Sequence, residues 1–491
     1  MSPPHASERI DVAIVGGGVT GLAAAHRLHE LARERGCALR FRLFESGERF
    51  GGQVRTERRP GLLLEGGPDQ FVRHKPAALD LCRRLGLAGQ IVELDERGGA
   101  TQIVRRGRPV RLPEGFSLLG PTRLRPLARS PLFSWWGLLR VALEPLVRPR
   151  PAHVEDESLR SFVTRRFGRQ AHDRVFEPMV AGIFTADSAA LSLELTVPQW
   201  LEMERRHGSV RRALRRRGAA RPARGGCVSL AEGLGRLVEG LVHGLPPGSL
   251  RAGAGVLRVK RLGRGLGWRV ELPRGEHCEA TAVILACPAR AGAALLEWDA
   301  ALARELAGIR YASCATVNLV YPERALGAPL DGYGFFVGRA ERLPILACSH
   351  VSVKFPERVP AGRVLLRAFL GGARDPHLAD LDEAELARVA HQTVAGLLRI
   401  EGQPEFARAL RFPESMPQYP VGFRARLAAI AAGLGRHPGL FAGGGAAGAI
   451  GLPDCVASGE AAALAAFDCV AAQAEHPPIA AFRAATGSRG R

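Results

Sequence analysis

Residues 10–28 read IDVAIVGGGVTGLAAAHRL. Six mostly apolar residues, Ile10 to Val15, predict a buried strand, and Gly16, Gly18 and Gly21 then take the G-x-G-x-x-G spacing at the entry to an alanine- and leucine-rich helix. In that geometry the first glycine permits a tight turn, the second lets the backbone approach a pyrophosphate, and the third lets helix pack on strand. The helix N-terminus adds free N–H groups and a partial positive charge. Downstream, LRFRLFE ends in Glu45, 24 residues beyond Gly21, where an acidic side chain meets the ribose hydroxyls of a dinucleotide. Together they predict a βαβ dinucleotide fold; the competing reading is a glycine-rich turn that binds nothing.

At 491 residues the chain has room for two or three domains, or one interleaved pair. Hydrophobic residues make up 46% of it and mean hydropathy is −0.01, as in a soluble globular protein. No run approaches the roughly 18 uninterrupted apolar residues of a spanning helix. The opening MSPPHASER lacks the pattern of a secretory leader, so a cytoplasmic location is expected. Nine cysteines are scattered without a C-x-x-C or a C/H cluster, which points to buried thiols rather than disulfides, and no metal site is expected. The net charge of +20 comes from arginine. Its densest patch, residues 204–226, lacks interleaved aromatics, and with only 6% aromatic residues overall nucleic acid is not an expected partner. An anionic membrane face or a carboxylate-rich substrate fits the same charge.

Composition divides the chain into residues 10–85 (first nucleotide-binding piece), 86–215 (helical, arginine- and proline-rich), 216–295 (second α/β piece), 296–430 (a separate antiparallel sheet) and 431–472 (third nucleotide-binding piece). A disordered tail is expected at 473–491. The second piece is read as a helix SLAEGLGRLVEGLV, strands around GAGVLRV and GWRVEL, and the buried run TAVILACP. In the sheet region CATVNLVY and GRVLLRAFL alternate as strands do.

A second G-x-G-x-x-G occurs at Gly443, Gly445 and Gly448, within GLFAGGGAAGAIGLPDCVASGE. Its helix is expected to begin only at Asp454, after Pro453, and too little chain follows for another strand and acidic residue. One nucleotide domain built from both chain ends is the better reading. Between the ends, Arg49 precedes the Gly51-Gly52 doublet, and LLLEGGPDQF adds Gly66, Gly67 and Pro68. Several stretches of bare backbone imply a long, extended ligand such as FAD.

The motifs VAIVGGGVTGLAAAHRL, FESGERFGGQVRT, EGGPDQF, AGIFTAD, LEMERRHGS, VILACPA, DGYGFFV, PQY and GAIGLPDCVASG stand in the order seen in the protoporphyrinogen oxidase branch of the flavin amine-oxidase superfamily. The resemblance spans about residues 10–470. It implies an α/β fold: an FAD-binding Rossmann-like βαβ domain built from both chain ends, interleaved with an α+β substrate domain and a helical insertion that is a candidate for membrane association. It implies that Gly16, Gly17, Gly18, Thr20, Gly21, Glu45, Arg49, Gly51, Gly52, Gly66, Gly67, Pro68, Val256, Gly443, Gly451 and Val456 hold FAD. It places Gly182, Ile183, Tyr333, Phe336 and Phe369 along a substrate pocket, with strand residues facing a core as the alternative.

The implied reaction belongs to haem biosynthesis: hydride passes from protoporphyrinogen IX or coproporphyrinogen III to the flavin N5, and oxygen reoxidises the flavin. No catalytic side chain is assigned, because the cofactor carries the chemistry. Three positions depart from the branch: Thr101 and Gln102 stand in place of an arginine, with Arg105 or Arg106 as substitutes; Asp69 replaces asparagine; Gly444 and Ala446 replace polar and aromatic residues. A diverged paralogue that oxidises or desaturates another apolar substrate, and a non-catalytic flavin-binding protein, therefore stay open. Residues 116–147, with Trp135-Trp136, are read either as a bilayer-interface segment or as a helix pair roofing the active site. A homodimer is left open.

Overall fold

A computed structural model describes residues 8–94, 99–117, 120–121, 123–151, 156–216, 226–263 and 267–475. Strand β1 (Glu8–Val15) runs parallel to β2 (Phe41–Phe44), and helix α1 (Val19–Glu34) joins them. On the other side of β1 lies the parallel strand His277–Leu285. That strand is shared along its length. Its first half pairs antiparallel with Trp268–Glu271, and its last residues, Val283 to Leu285, pair parallel with Leu440–Ala442. Distant parts of the chain thus meet in one sheet, with residues 440–442 brought to the crevice end of the parallel strands.

The helix Leu452–Glu475 packs along α1. It begins two residues earlier than the sequence suggests, because a proline in the first helical turn forfeits no intrahelical hydrogen bond. It also carries residues 473–475, expected as tail; residues 476–491 lie outside the described residues. The expected strand at GAGVLRV starts only at Arg258, and the SLAEG segment divides into the strand Cys227–Leu230 and the helix Gly235–His243.

A second sheet has seven strands in the order Phe406–Pro417, Tyr311–Pro322, Arg363–Gly371, Ala347–His350, Gly334–Phe336, Gln102–Arg105 and Arg108–Arg111. The hairpin 102–111 thus leaves the helical stretch to extend the edge of this sheet.

Helices between residues 159 and 216 enclose an aromatic core in which Phe162 stacks on Trp200 at 5.3 Å and Phe176 meets it edge-on at 5.4 Å. The LEMERRHGS motif lies here. Glu144 is fully buried; its carboxylate accepts from Ser209 Oγ at 2.5 Å and from the Val210 and Arg211 amides at 3.0 and 3.2 Å, capping the helix Val210–Arg216. Arg166, equally buried, bridges Glu144 at 3.2 Å and Glu204 at 2.7 Å. Removing Glu144 leaves the buried Ser209 hydroxyl and the Val210 and Arg211 amides without their acceptor and leaves Arg166 with Glu204 as its one buried carboxylate. Glu144→Ala is therefore expected to destabilise the protein by about 3–5 kcal/mol, read as a lower denaturation midpoint, whereas a midpoint equal to wild type would show that this network does not clamp the helices.

Candidate active site

The crevice at the C-terminal ends of the parallel strands is built from bare backbone. Gly16 has φ +111°, and a Cβ there would stand 2.8 Å from the backbone of Ala286 and Cys287. A Cβ on Gly21 would overlap the Gly16 carbonyl, so α1 could not lie this close to its strand. Gly18 caps α1 without a side-chain hydrogen bond, and only the Gly52 Cα, 4.0 Å away, approaches its Cβ position. The Gly51 amide donates to Gly17 O at 2.8 Å, which brings the Gly51-Gly52 turn alongside the first glycine loop. Glu45 closes the edge, accepting from the Gly17 amide at 2.6 Å and the Gly47 amide at 2.8 Å. Arg49 folds back onto its own turn, donating to Phe50 O at 2.9 Å and Val54 O at 3.1 Å.

Other pieces arrive from elsewhere in the chain. The Ala254 amide donates to Glu45 O at 2.8 Å, which carries the half-buried Val256 towards that edge. Gly443 sits where a Cβ would be 2.8 Å from Thr20 Cγ2, and the Gly444 amide donates to Ser458 Oγ at 3.0 Å. Gly444 has φ +66°, which explains glycine at that departure. Gly451 is held by the Asp454 side chain at 3.3 Å. Val456 is fully buried in the core beneath α1, so only its backbone is available to a ligand.

Of the residues expected along a substrate pocket, Phe336 and Phe369 lie on one face of the second sheet, and Gly182 and Ile183 on the helix Glu177–Phe184. Cross-strand pairing sets Ile103, Phe336, Ala347, Phe369, Thr316 and Leu410 in a row. Phe336 and Phe369 are half-buried on that face, whereas the neighbouring Phe335 is 1% exposed on the opposite, core face. Alternation thus puts Phe335 on the core face and Phe336 on the opposite one. At one end of the row Gly182 packs so tightly on the Phe336 ring that a Cβ would overlap it; Ile183 beside it is 41% exposed. At the other end Thr316 Oγ1 donates to Gly66 O at 2.7 Å. Tyr333 is half-buried just before its strand, and its carbonyl accepts from the His350 amide at 3.0 Å.

Beside that row lies a charged cluster. Asp69 is 8% exposed, with Lys354 Nζ 3.6 Å and Arg367 Nη1 3.7 Å from its carboxylate. Burial by itself would raise its carboxyl pKa, but Lys354, Arg367 and Arg358 outweigh that and hold it below the usual range. Burial pushes the Glu65 carboxyl up, despite hydrogen bonds from Thr56 Oγ1 and the Leu234 amide at 2.6 Å each. Arg367 donates to Gly66 O at 2.9 Å and also to Gly67 O, so the sheet grips the EGGPDQF loop.

The family description "flavin containing amine oxidoreductase" matches residues 19–466. The chain belongs to that family. It is 33% identical to a coproporphyrinogen III oxidase of Propionibacterium freudenreichii, covering 97% of this chain and 94% of that one, and 31% identical to the Bacillus subtilis protein of the same name, covering 92% and 96%. A crystal structure from Exiguobacterium sp. 255-15, provisionally named a protoporphyrinogen oxidase, superposes with a TM-score of 0.83 at 28% identity over 94% of this chain and all of that one. The family's cofactor is FAD, and this member is an FAD-dependent oxidase. The glycine crevice fits a dinucleotide: backbone is exposed where a phosphate must approach, and a helix N-terminus lies there without a side-chain cap.

In this family member Gln102 is buried and donates to Asp331 at 3.0 Å, while Arg105 lies 3.9 Å from Glu341 and the Arg106 amide donates to the same carboxylate at 3.0 Å. Of the substitutes expected for an arginine at 101, Arg105 is thus held beside Glu341 at the hairpin end, and Arg106 gives that carboxylate only its backbone amide. The sequence reading missed Lys354, Arg358 and Arg367. Two signals could have found them. Lys354 is one of three lysines among 68 basic residues, and Arg367 is a charge in the middle of the apolar strand GRVLLRAFL.

His350, fully buried at the end of a central strand, has its Nδ1 2.9 Å from Gly332 O. Burial, with Lys354 nearby, pushes its pKa down to about 4. Below pH 6.5 the unfolded chain protonates this imidazole while the folded one does not, so stability falls as pH drops through the window from about 6.5 to 4, by roughly 3 kcal/mol in all. A His350→Gln variant is expected to lose less stability over that window in denaturant titrations at several pH values.

Proposed function

We propose that this oxidase takes a porphyrinogen as substrate, with coproporphyrinogen III preferred over protoporphyrinogen IX, in haem biosynthesis. The observation that carries the reading is near-full-length similarity to two coproporphyrinogen III oxidases at 31% and 33% identity. The half-buried aromatic face supports it, because a flat macrocycle needs an apolar wall to lie against.

Bound FAD supplies a hydride acceptor that oxygen can reoxidise, with hydrogen peroxide as the reduced product. The chain supplies position and environment. Gly16, Gly17, Gly18, Thr20 and Gly21 cradle the diphosphate on the α1 N-terminus, Glu45 takes the ribose hydroxyls, and Gly443, Gly451 and the Val456 backbone close over it. Arg49 holds the Gly51-Gly52 turn, and Val256 lines the adenosine edge. Gly66 and Gly67, whose carbonyls accept from Arg367, and Pro68 would hold the flavin end. Phe336, Phe369, Tyr333, Gly182 and Ile183 orient the macrocycle and exclude water, so the reacting carbon is held rather than activated by a side-chain base.

The same reading extends to a lipid surface on the cytoplasmic side of the membrane. Trp135 and Trp136 are 82% and 80% exposed, and Leu139, Leu143 and Leu146 are exposed with them, a concentration of large apolar groups that a water-facing roof does not need. Aromatic and aliphatic groups on a basic protein suit the interface of an anionic bilayer. The helix Leu452–Ala474 has the length and apolarity to cross a membrane, yet it packs along α1.

Anaerobic mixing with coproporphyrinogen III should bleach the flavin absorbance, and admitting oxygen should restore it. A flavin band that never bleaches would remove the porphyrinogen assignment while leaving the cofactor intact. Co-sedimentation with anionic liposomes should fall several-fold for Trp135→Ala/Trp136→Ala, and equal sedimentation would remove the lipid role.

A further inference from the structure

The cluster around Asp69 contains more cation than its carboxylates need. Two carboxylates share it with three cations: Arg358 and Arg367 face both Glu65 and Asp69, and Lys354 stands against Asp69. Arg358 directs one nitrogen to Ser229 Oγ at 2.6 Å and to Leu230 O at 3.3 Å. Arg367 is 1% exposed, yet its Nε and Nη1 find no hydrogen-bond acceptor among the described residues; the same holds for Arg358 Nη1. A buried guanidinium with unmet N–H groups is costly, and a carboxylate is its natural acceptor because charge assistance and fork geometry act together.

Position tells which carboxylate. Arg367 and Phe369 are two residues apart on one strand and share a face, and the guanidinium carbon of Arg367 lies 4.7 Å from the centre of the Phe369 ring. Pairing sets Ser349 and Asn318 on either side of Arg367, one step along from the row of Ala347, Phe369 and Thr316. Ser349 Oγ and Asn318 Oδ1 are likewise buried without partners among the described residues. The apolar wall therefore adjoins a buried, polar, cation-rich cluster.

We propose that Arg367, assisted by Lys354, is the binding site for one carboxylate side chain of the macrocyclic substrate, and that this cluster replaces the arginine missing at position 101. The inference rests on the porphyrinogen reading and makes this site a determinant of specificity for carboxylated over uncharged macrocycles. Asp69 keeps the cations from repelling one another before substrate arrives, and its replacement of asparagine then has a purpose.

The test is equilibrium binding of the stable, oxidised macrocycle to the FAD-loaded protein, followed by porphyrin fluorescence, with coproporphyrin III compared against its tetramethyl ester. Wild type should prefer the acid by about tenfold or more. Arg367→Met should bring the two within about twofold, Lys354→Met should reduce the preference about threefold, and Arg367→Lys should restore part of it. A loss of packing alone would weaken acid and ester equally, so an unchanged ratio in the folded variants overturns the proposal. If Arg367→Met fails to retain FAD because the Gly66-Gly67 loop is released, Lys354→Met, which holds no loop carbonyl, decides. Wild type binding acid and ester equally removes this site alone; wild type binding neither removes the porphyrinogen reading with it.

Discussion

The structure depends on how closely α1 can approach its neighbours. On one side Gly21 lies against the Gly16 carbonyl; on the other Gly459, in the C-terminal helix, lies against the Thr20 carbonyl with the Ala24 amide 3.3 Å from its Cβ position. Neither contact leaves room for a methyl group, and forcing one in would displace a helix at a cost of about 1–3 kcal/mol. Held from both sides, α1 presents its N-terminus at a fixed height above the Gly51-Gly52 turn. The width of the crevice is therefore a packing property, set at contacts that a ligand need never touch.

Electrostatics follows a second constraint, that an arginine-rich chain must place its buried carboxylates with care. Glu144 and Glu204 meet Arg166 in the helical region, and Asp69 meets a triplet of cations between the two sheets. The first ties two carboxylates to Arg165 and Arg166 and caps a helix, as suits a clamp. The second leaves N–H groups of Arg358 and Arg367 and one Asp69 oxygen without hydrogen-bond partners among the described residues. Similar residue types thus serve both regions, and the difference lies in what surrounds them, a helix terminus in one and the Gly66-Gly67 loop in the other.

The nucleotide half was legible because its requirements are local. Gly16, Gly18 and Gly21 impose backbone conditions that few other residues meet, and Glu45 follows at a spacing fixed by one helix and one strand. The helix start at Leu452 was misplaced because proline was read as a boundary, when the first turn accepts it. The charged cluster was not legible, since Asp69, Lys354 and Arg367 are far apart in sequence and only strand pairing aligns them. Alternation could assign Phe335 and Phe336 to opposite faces, but which face met solvent depended on the position of the Gly66-Gly67 loop.

The order of strands in the first sheet has a consequence for how the molecule is made. β1 and β2 are synthesised first, yet β1 pairs with residues 277–285, and these in turn receive residues 440–442. The helical region, with its own aromatic core and ion network, is enclosed within a shorter span of chain and can consolidate while the ribosome is still working. The cofactor crevice cannot. Its last wall leaves the ribosome after most of the protein has folded around it, so the nascent chain passes through a stage in which the glycine loops are paired on one side only. Such non-local closure is slow, and a ligand that needs the completed crevice favours the closed sheet over the open one.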